Sequence, residues 1–549
     1  MKRVVKKRTK WLFHFATAVA YLCTVGLLWR YGKSALDSDT ASEMVLANYQ
    51  NATGDAVLSS GWWYSTELRV FYLQPVYRLM LLFFPNDWYT AHVLGQAVWI
   101  LFLIFAWRFL TKEMQLGGIS YLIGVLALVL PIGGQSLLFA LYGGFYLPQM
   151  VLLCVTLALF IRFQRMEGGG ITLLLLCGVS LVNGLTGFKM IMGLHIPLFI
   201  GSGLTFMFSS GCSEDTSLSK FRRLALVLAP LAFALMGMLL YFQVLMKAYD
   251  CYDFTGLTYT RFSIGGLLQS IADFPTLLGY PSPKGNLHVD VYLGGSLKVL
   301  SLFGVLASFG VLLPALFVAV FVMLLRRYKG LSSERRCMVA TFIGITLIQG
   351  FIMSNTSGGL NAARYWLVPY PMLLLTLGIG LENGVLACGR KIYRAVSCLC
   401  CICIVSCSLS VALSWRAEII SISDSSGLNS KERIANWLVT NGYKKGYATF
   451  WNGNVLTELS NGELDLWVVE DQFGDFSPRK WLQIKSHDAS PQGRVFLLTT
   501  EQELGQNGIS RDSVDDHFVH QDGEYLIYSF ESFSELKEIV VPQNEIDVL

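Results

Sequence analysis

The sequence predicts a mainly α fold, a polytopic transmembrane bundle of about eleven helices over residues 1–415, followed by a small extracytoplasmic α/β domain over residues 416–549. Three observations predict it. Of the 549 residues, 53% are hydrophobic and 15% charged, well under the roughly 25% charged of a water-soluble domain. The formal charge of +4 hides a division at Trp415: 31 Lys+Arg stand against 16 Asp+Glu before it and 11 against 22 after it, giving +15 and −11. Apolar runs near the roughly 20 residues needed to span a bilayer also recur, with basic clusters between them.

The elements follow in order. Lys2, Arg3, Lys6, Lys7 and Arg8 precede an apolar run from Trp11 to Trp29 with no small-residue cleavage site. That pattern predicts an uncleaved first helix with a cytoplasmic N-terminus. Further spans are predicted at 90–110, 116–132, 143–163, 170–186, 190–208, 224–246, 297–325, 338–354, 365–386 and 395–415. Residues 71–84 are apolar but, at about 14 residues, too short to cross. If they crossed, Arg108, Arg162, Arg165, the cluster Arg326 to Arg336 and Arg390 to Arg394 would all face outward, against the positive-inside rule. With the segment lying in the interface, 21 of the 31 basic residues before Trp415 stay cytoplasmic, and Pro75, Tyr77 and Arg78 suit an interfacial helix.

Two long external loops result, 30–89 and 247–296, and ten of the sixteen acids before Trp415 fall outside. Chemistry is therefore expected on the outer face. In the tail, Ser430 to Leu438 reads as a capped amphipathic helix, with strands at 494–498 and 525–528. Twelve cysteines lie almost entirely in apolar segments and none after Trp415, so they read as small hydrophobes and imply no disulfide framework. Nothing in the charge pattern suits nucleic acid.

The first external loop opens with Asp37-Ser38-Asp39 and reaches Glu43. An aspartate beside the membrane is placed to take a proton from an attacking hydroxyl; alternatively Asp39 or Ser38 caps a helix through Tyr49. The loop continues through Trp63, Tyr64, Glu67 and Arg69. Ring faces suit sugar stacking and a guanidinium suits phosphate, while an interfacial aromatic belt explains the rings equally well. Glu67 needs a partner at that position, and Arg69 is near. Lys189, Arg261, Lys284 and Arg364 (followed by Tyr365) are outward-side cations at helix ends, suited to phosphate or to snorkelling.

A first helix entering from the cytoplasm, Asp37 and Asp39 directly after it, a non-spanning helix around Gln74-Pro75-Val76-Tyr77, and Arg364-Tyr365 followed by Pro369 together resemble the GT-C glycosyltransferases, which include protein O-mannosyltransferases and lipid A aminoarabinose transferases. Within these, the runs Asp37 to Glu43, Trp63 to Arg69, Tyr447 to Asn452 and Asn461-Gly462 resemble a bacterial branch without an assigned role. The resemblance implies a polyprenyl-phosphate sugar as donor, inverting transfer to a cell-envelope glycan, lipid or protein acceptor, and Asp39 or Asp37 as base. By the same resemblance Glu67 is the analogue of a second acid that helps bind a metal in the aminoarabinose branch, and a divalent metal stays open. The cell membrane, with the C-terminal domain extracytoplasmic, is the expected location. Alternatives are a flippase or transporter of a lipid-linked glycan, disfavoured because charges lie at helix ends and not along a pathway, an O-antigen-type polymerase or ligase, and a non-catalytic scaffold.

Overall fold

The structure, a computed structural model, describes residues 2–165, 167, 169–207, 217–252, 262–279, 302–356, 363–424, 427–470, 473, 476–507 and 509–540. Among these residues, nine helices are long and apolar enough to cross a membrane, from Trp11–Tyr31 to Arg390–Ile422. The chain is a multi-pass membrane protein. Two further apolar helices, Gly118–Val129 and Gly169–Gly184, are shorter, so among the described residues each predicted span contains a helix and two fall short of crossing length. The segment 71–84 forms the ten-residue helix Gln74–Phe83, about 15 Å long and half the thickness of a hydrocarbon core. The chain divides into two compact units, the first comprising residues 1–27, 96–245 and 254–415, the second residues 28–95, 246–253 and 416–549.

The first unit holds most of the membrane helices. Gly118–Val129 stops at an extended Leu130, just before Pro131, whose ring cannot continue a helix. Its last carbonyls would be orphaned in an apolar surround, at a cost of several kcal/mol each. Thr24 Oγ1 donates to Val129 O at 2.8 Å and the Tyr370 hydroxyl to Ala127 O at 3.3 Å, so neighbouring helices supply the cap. Elsewhere glycine permits close approach. The helices Gly169–Gly184 and Ser217–Leu240 meet where a Cβ on Gly184 would lie 2.0 Å from Ala234 O and one on Gly237 2.1 Å from Leu181 O. Without a hydrophobic drive between helices in lipid, such backbone contact is what holds them together. Asn183 bridges Thr156 Oγ1 (2.9 Å) and His195 Nε2 (3.0 Å) inside the same unit.

The second unit is built on a five-stranded mixed sheet, with the strands named in chain order. β1 is Trp62–Trp63, β2 Lys445–Thr449, β3 Asp465–Val469, β4 Gln483–Ile484, β5 Val495–Thr500, β6 Phe518–Asp522 and β7 Tyr525–Phe530. The sheet runs β3-β2-β5-β7-β6, parallel at β3-β2-β5 and antiparallel beyond. The predicted strands at 494–498 and 525–528 are β5 and β7. β2, β3 and β5 are buried almost throughout, as expected of strands covered on both faces. Tyr447, Trp467, Phe476, Leu497 and Tyr528 form part of its core. β1, from the first loop, pairs antiparallel with β4, Trp62 opposite Ile484 and Trp63 opposite Gln483. The predicted helix at 430–438 runs Ser430–Thr440 behind a full capping box of Asn429 and Glu432.

Candidate active site

The acidic turn lies in the second unit. After Tyr31 the chain makes a short turn at Lys33–Ala35, and the helix Ser38–Thr53 begins. Asp37, extended at φ −117° and ψ 168°, is its cap and its Oδ1 accepts from Thr40 N at 2.8 Å. Capping therefore falls to Asp37 and not to Asp39 or Ser38. A cap must be non-helical so that its carboxylate can fold back onto the first turn, and Ser38 and Asp39 are already helical. Asp39 is half-buried on that first turn, its carbonyl accepting from Ser42 Oγ at 2.7 Å.

The residues before the cap are held by the C-terminal part of the same unit. Asn429 Nδ2 donates to Ser34 O (2.9 Å), and Ser34 Oγ donates to Glu432 Oε2 (3.1 Å). Lys33 Nζ lies 3.8 Å from Glu432 Oε1. Beside them, Lys431 Nζ donates to Trp451 O at 3.0 Å. Burial lowers the Lys431 pKa, opposed by the charges of Asp37, Glu524 and Glu503. Glu458 is fully buried against His92, and burial raises its pKa, with His92 and Lys33 pulling the other way and Asp37 adding to the rise. Asp37 therefore acts electrostatically on both a half-buried lysine and a buried glutamate. Neither was visible in the spacing of the sequence.

Further along the loop, Arg69 pairs with Glu43, which also accepts from Gln74 Nε2. Glu43 is 1% exposed, so it depends on these donors to offset its desolvation. The Arg69 guanidinium lies 5.0 Å from the Tyr72 ring centre. Glu67 is half-buried. Trp63 and Tyr64 are both buried. Lys480 Nζ approaches the Trp63 ring to 5.9 Å, and the Tyr64 hydroxyl accepts from Ser59 N at 2.7 Å. These two rings are packed within the unit, where they anchor the β1 segment.

Arg364, Tyr365 and Lys189 belong to the first unit. Arg364 is exposed in the short turn Ala363–Leu367, stacked over Phe139 (5.3 Å) and Tyr365 (5.4 Å). Tyr365 O accepts from Gln349 Nε2 at 3.1 Å. Lys189 Nζ lies 5.7 Å from the Tyr146 ring centre. Arg261 and Lys284 fall outside the described residues. Among the described residues no three His, Cys, Asp or Glu side chains gather so as to hold a metal ion. Among the described residues, the donors around Glu67 do not fit the metal that the family resemblance implies.

No family model matches the chain, and no curated protein matches it in sequence. In structure it is similar to the aminoarabinose transferase ArnT from Cupriavidus metallidurans in the apo state, with TM-score 0.57 and 14% identity over 98% of this chain and 100% of that one. The chain has the GT-C fold. The same transferase bound to undecaprenyl phosphate matches at TM-score 0.57 and 13% identity, over 94% of this chain and 97% of that one. At this identity the GT-C likeness concerns the path of the backbone, and the roles of individual side chains rest on the contacts of this chain.

Proposed function

We propose that the chain is a membrane glycosyltransferase that moves a sugar from a polyprenyl-phosphate donor to an acceptor hydroxyl on the outer face of the membrane, with inversion. The observation that carries this reading is the GT-C fold over nearly the whole chain, held in common with a transferase solved with undecaprenyl phosphate. Asp39 is the general base. Its half-buried place on the first helical turn supports that choice. The acceptor oxygen attacks the anomeric carbon and its proton passes to the Asp39 carboxylate. The bond from that carbon to the phosphate oxygen breaks, and its electron pair leaves with the polyprenyl phosphate.

The leaving group is a stable phosphate and needs no acid, only cations to hold its charge. Arg69, in the same unit as Asp39, is the cation proposed for this role. Positioning of donor and acceptor supplies much of the remaining rate.

The test is incubation of the purified protein with a panel of polyprenyl-phosphate sugars and a cell-envelope extract that supplies glycan, lipid and protein acceptors, measuring release of the lipid phosphate. Wild type is expected to release it from at least one donor, and Asp39→Asn to abolish release while donor binding persists. Normal turnover by Asp39→Asn rejects the base, and no release from any donor rejects the transferase.

A further inference from the structure

A cavity of about 270 Å³ opens in the second unit, separate from the acidic turn. One wall is the helix Ser38–Thr53, whose Val45, Asn48 and Tyr49 share a face by their spacing. Asn48 lies nine residues from Asp39, about 14 Å along the helix axis. The other walls bring Thr457, Asp465 and His487.

The lining is a set of fixed hydrogen-bonding groups among apolar surfaces. Asp465 Oδ1 holds His487 Nε2 at 2.9 Å, and the Asp465 side chain is 49% exposed while His487 is buried. The histidine is itself locked, stacked on Trp467 with ring centres 4.3 Å apart and Nδ1 held 3.2 Å from Gln483 Oε1. Asp465 therefore presents a carboxylate whose position is set from behind and whose remaining surface faces the opening. Asn48 adds an exposed amide and Thr457 a half-buried hydroxyl. Among the described residues lining the cavity there is no Lys or Arg, which disfavours a phosphate or another anion. Its volume falls just below the roughly 300–1,000 Å³ of sites for drug-sized ligands, the scale of a single sugar ring. A pyranose carries apolar C–H faces edged by hydroxyls, and the mixture of carboxylate, amide, hydroxyl and Tyr49 beside Val45 matches that chemistry.

We propose that this cavity binds one neutral pyranose unit of a glycan. Only the identification of that glycan as the acceptor rests on the transferase reading above; binding itself does not.

The experiment is saturation-transfer NMR on the full-length protein in a detergent without a sugar headgroup. The probes are the methyl glycosides of glucose, mannose, galactose and N-acetylglucosamine. At least one should bind saturably. Asn48→Trp and Thr457→Trp, which fill the cavity from two sides, should each weaken that binding at least tenfold, and Asp39→Asn should leave it unchanged. Absence of saturable binding by every glycoside, or undiminished binding in either tryptophan variant that elutes as the wild type does, overturns the proposal. Saturable glycoside binding by a wild-type protein that releases no lipid phosphate from any donor leaves the cavity assigned and removes the transferase reading alone.

Discussion

Glu458 and His92 meet inside the second unit, Oε1 to Nδ1 at 2.8 Å, with neither side chain open to solvent. Burial lifts the Glu458 pKa against the pull of His92. A carboxyl whose folded-state pKa is raised contributes stability that is fully present below its unfolded value, about 4.3, and lost as pH rises through the folded value. Thermal unfolding of wild type and Glu458→Gln between pH 4 and 8 checks this. Wild type should lose ground to the variant as pH rises; a difference independent of pH would remove the account.

The Glu43–Arg69 pair should behave as a unit. Arg69→Ala leaves a carboxylate buried and short of a partner, a loss of about 3–5 kcal/mol, seen as a large drop in melting temperature. Glu43→Gln with Arg69→Met removes both charges and should recover much of it. A double-mutant cycle giving no coupling would show that the two side chains act independently.

At the crossing of Gly169–Gly184 with Ser217–Leu240, Gly184→Val or Gly237→Val forces side-chain atoms into backbone. The expected cost is at least about 1–3 kcal/mol, read as lower yield of monodisperse protein and lower thermal stability. Gly178→Val is the control, because a Cβ there meets nothing within 4 Å. Equal tolerance of all three would contradict the close contact.

Arg433 grips Asp522 through Nε at 2.6 Å and through a second bond from Nη2. These hydrogen bonds hold the Asp522 carboxyl below its ordinary range. A lowered carboxylate contributes stability present above its unfolded value, about 3.9, and lost as pH falls through the folded one. Arg433→Gln should therefore be less stable than wild type at pH 7, with the gap closing below pH 4 in thermal unfolding. A gap that persists into acid would assign the loss to packing.

Hydropathy and charge made the membrane helices legible, because length and apolarity are local properties. The early end of Gly118–Val129 has a local sign in Pro131, but the partners of its last carbonyls, Thr24 and Tyr370, lie far away in the chain. In the acidic turn, Asp37, Ser38 and Asp39 are all good caps, and only the backbone angles separate them. The ion pair of Arg69 to Glu43 spans one helix and a loop, beyond the reach of local spacing. Lys431, Glu432 and Glu458 reach the first loop only after the chain has returned from the membrane, and no local pattern announces them. The run through Asn461-Gly462 has a structural account: Asn461 Oδ1 accepts from Trp88 N at 2.9 Å, and Gly462, at φ +80°, has no room for a Cβ beside the Trp88 ring.

The pairing of β1 with β4 also sets an order of events during synthesis. Trp63 and Gln483 are partners 420 residues apart, and at about 5–20 residues per second the ribosome needs on the order of 20–80 seconds to make what lies between them. Throughout that interval the first loop has emerged without the strand that receives it. A chain halted before Gln483 should therefore display an unfinished first loop, a ready target for chaperones and proteases.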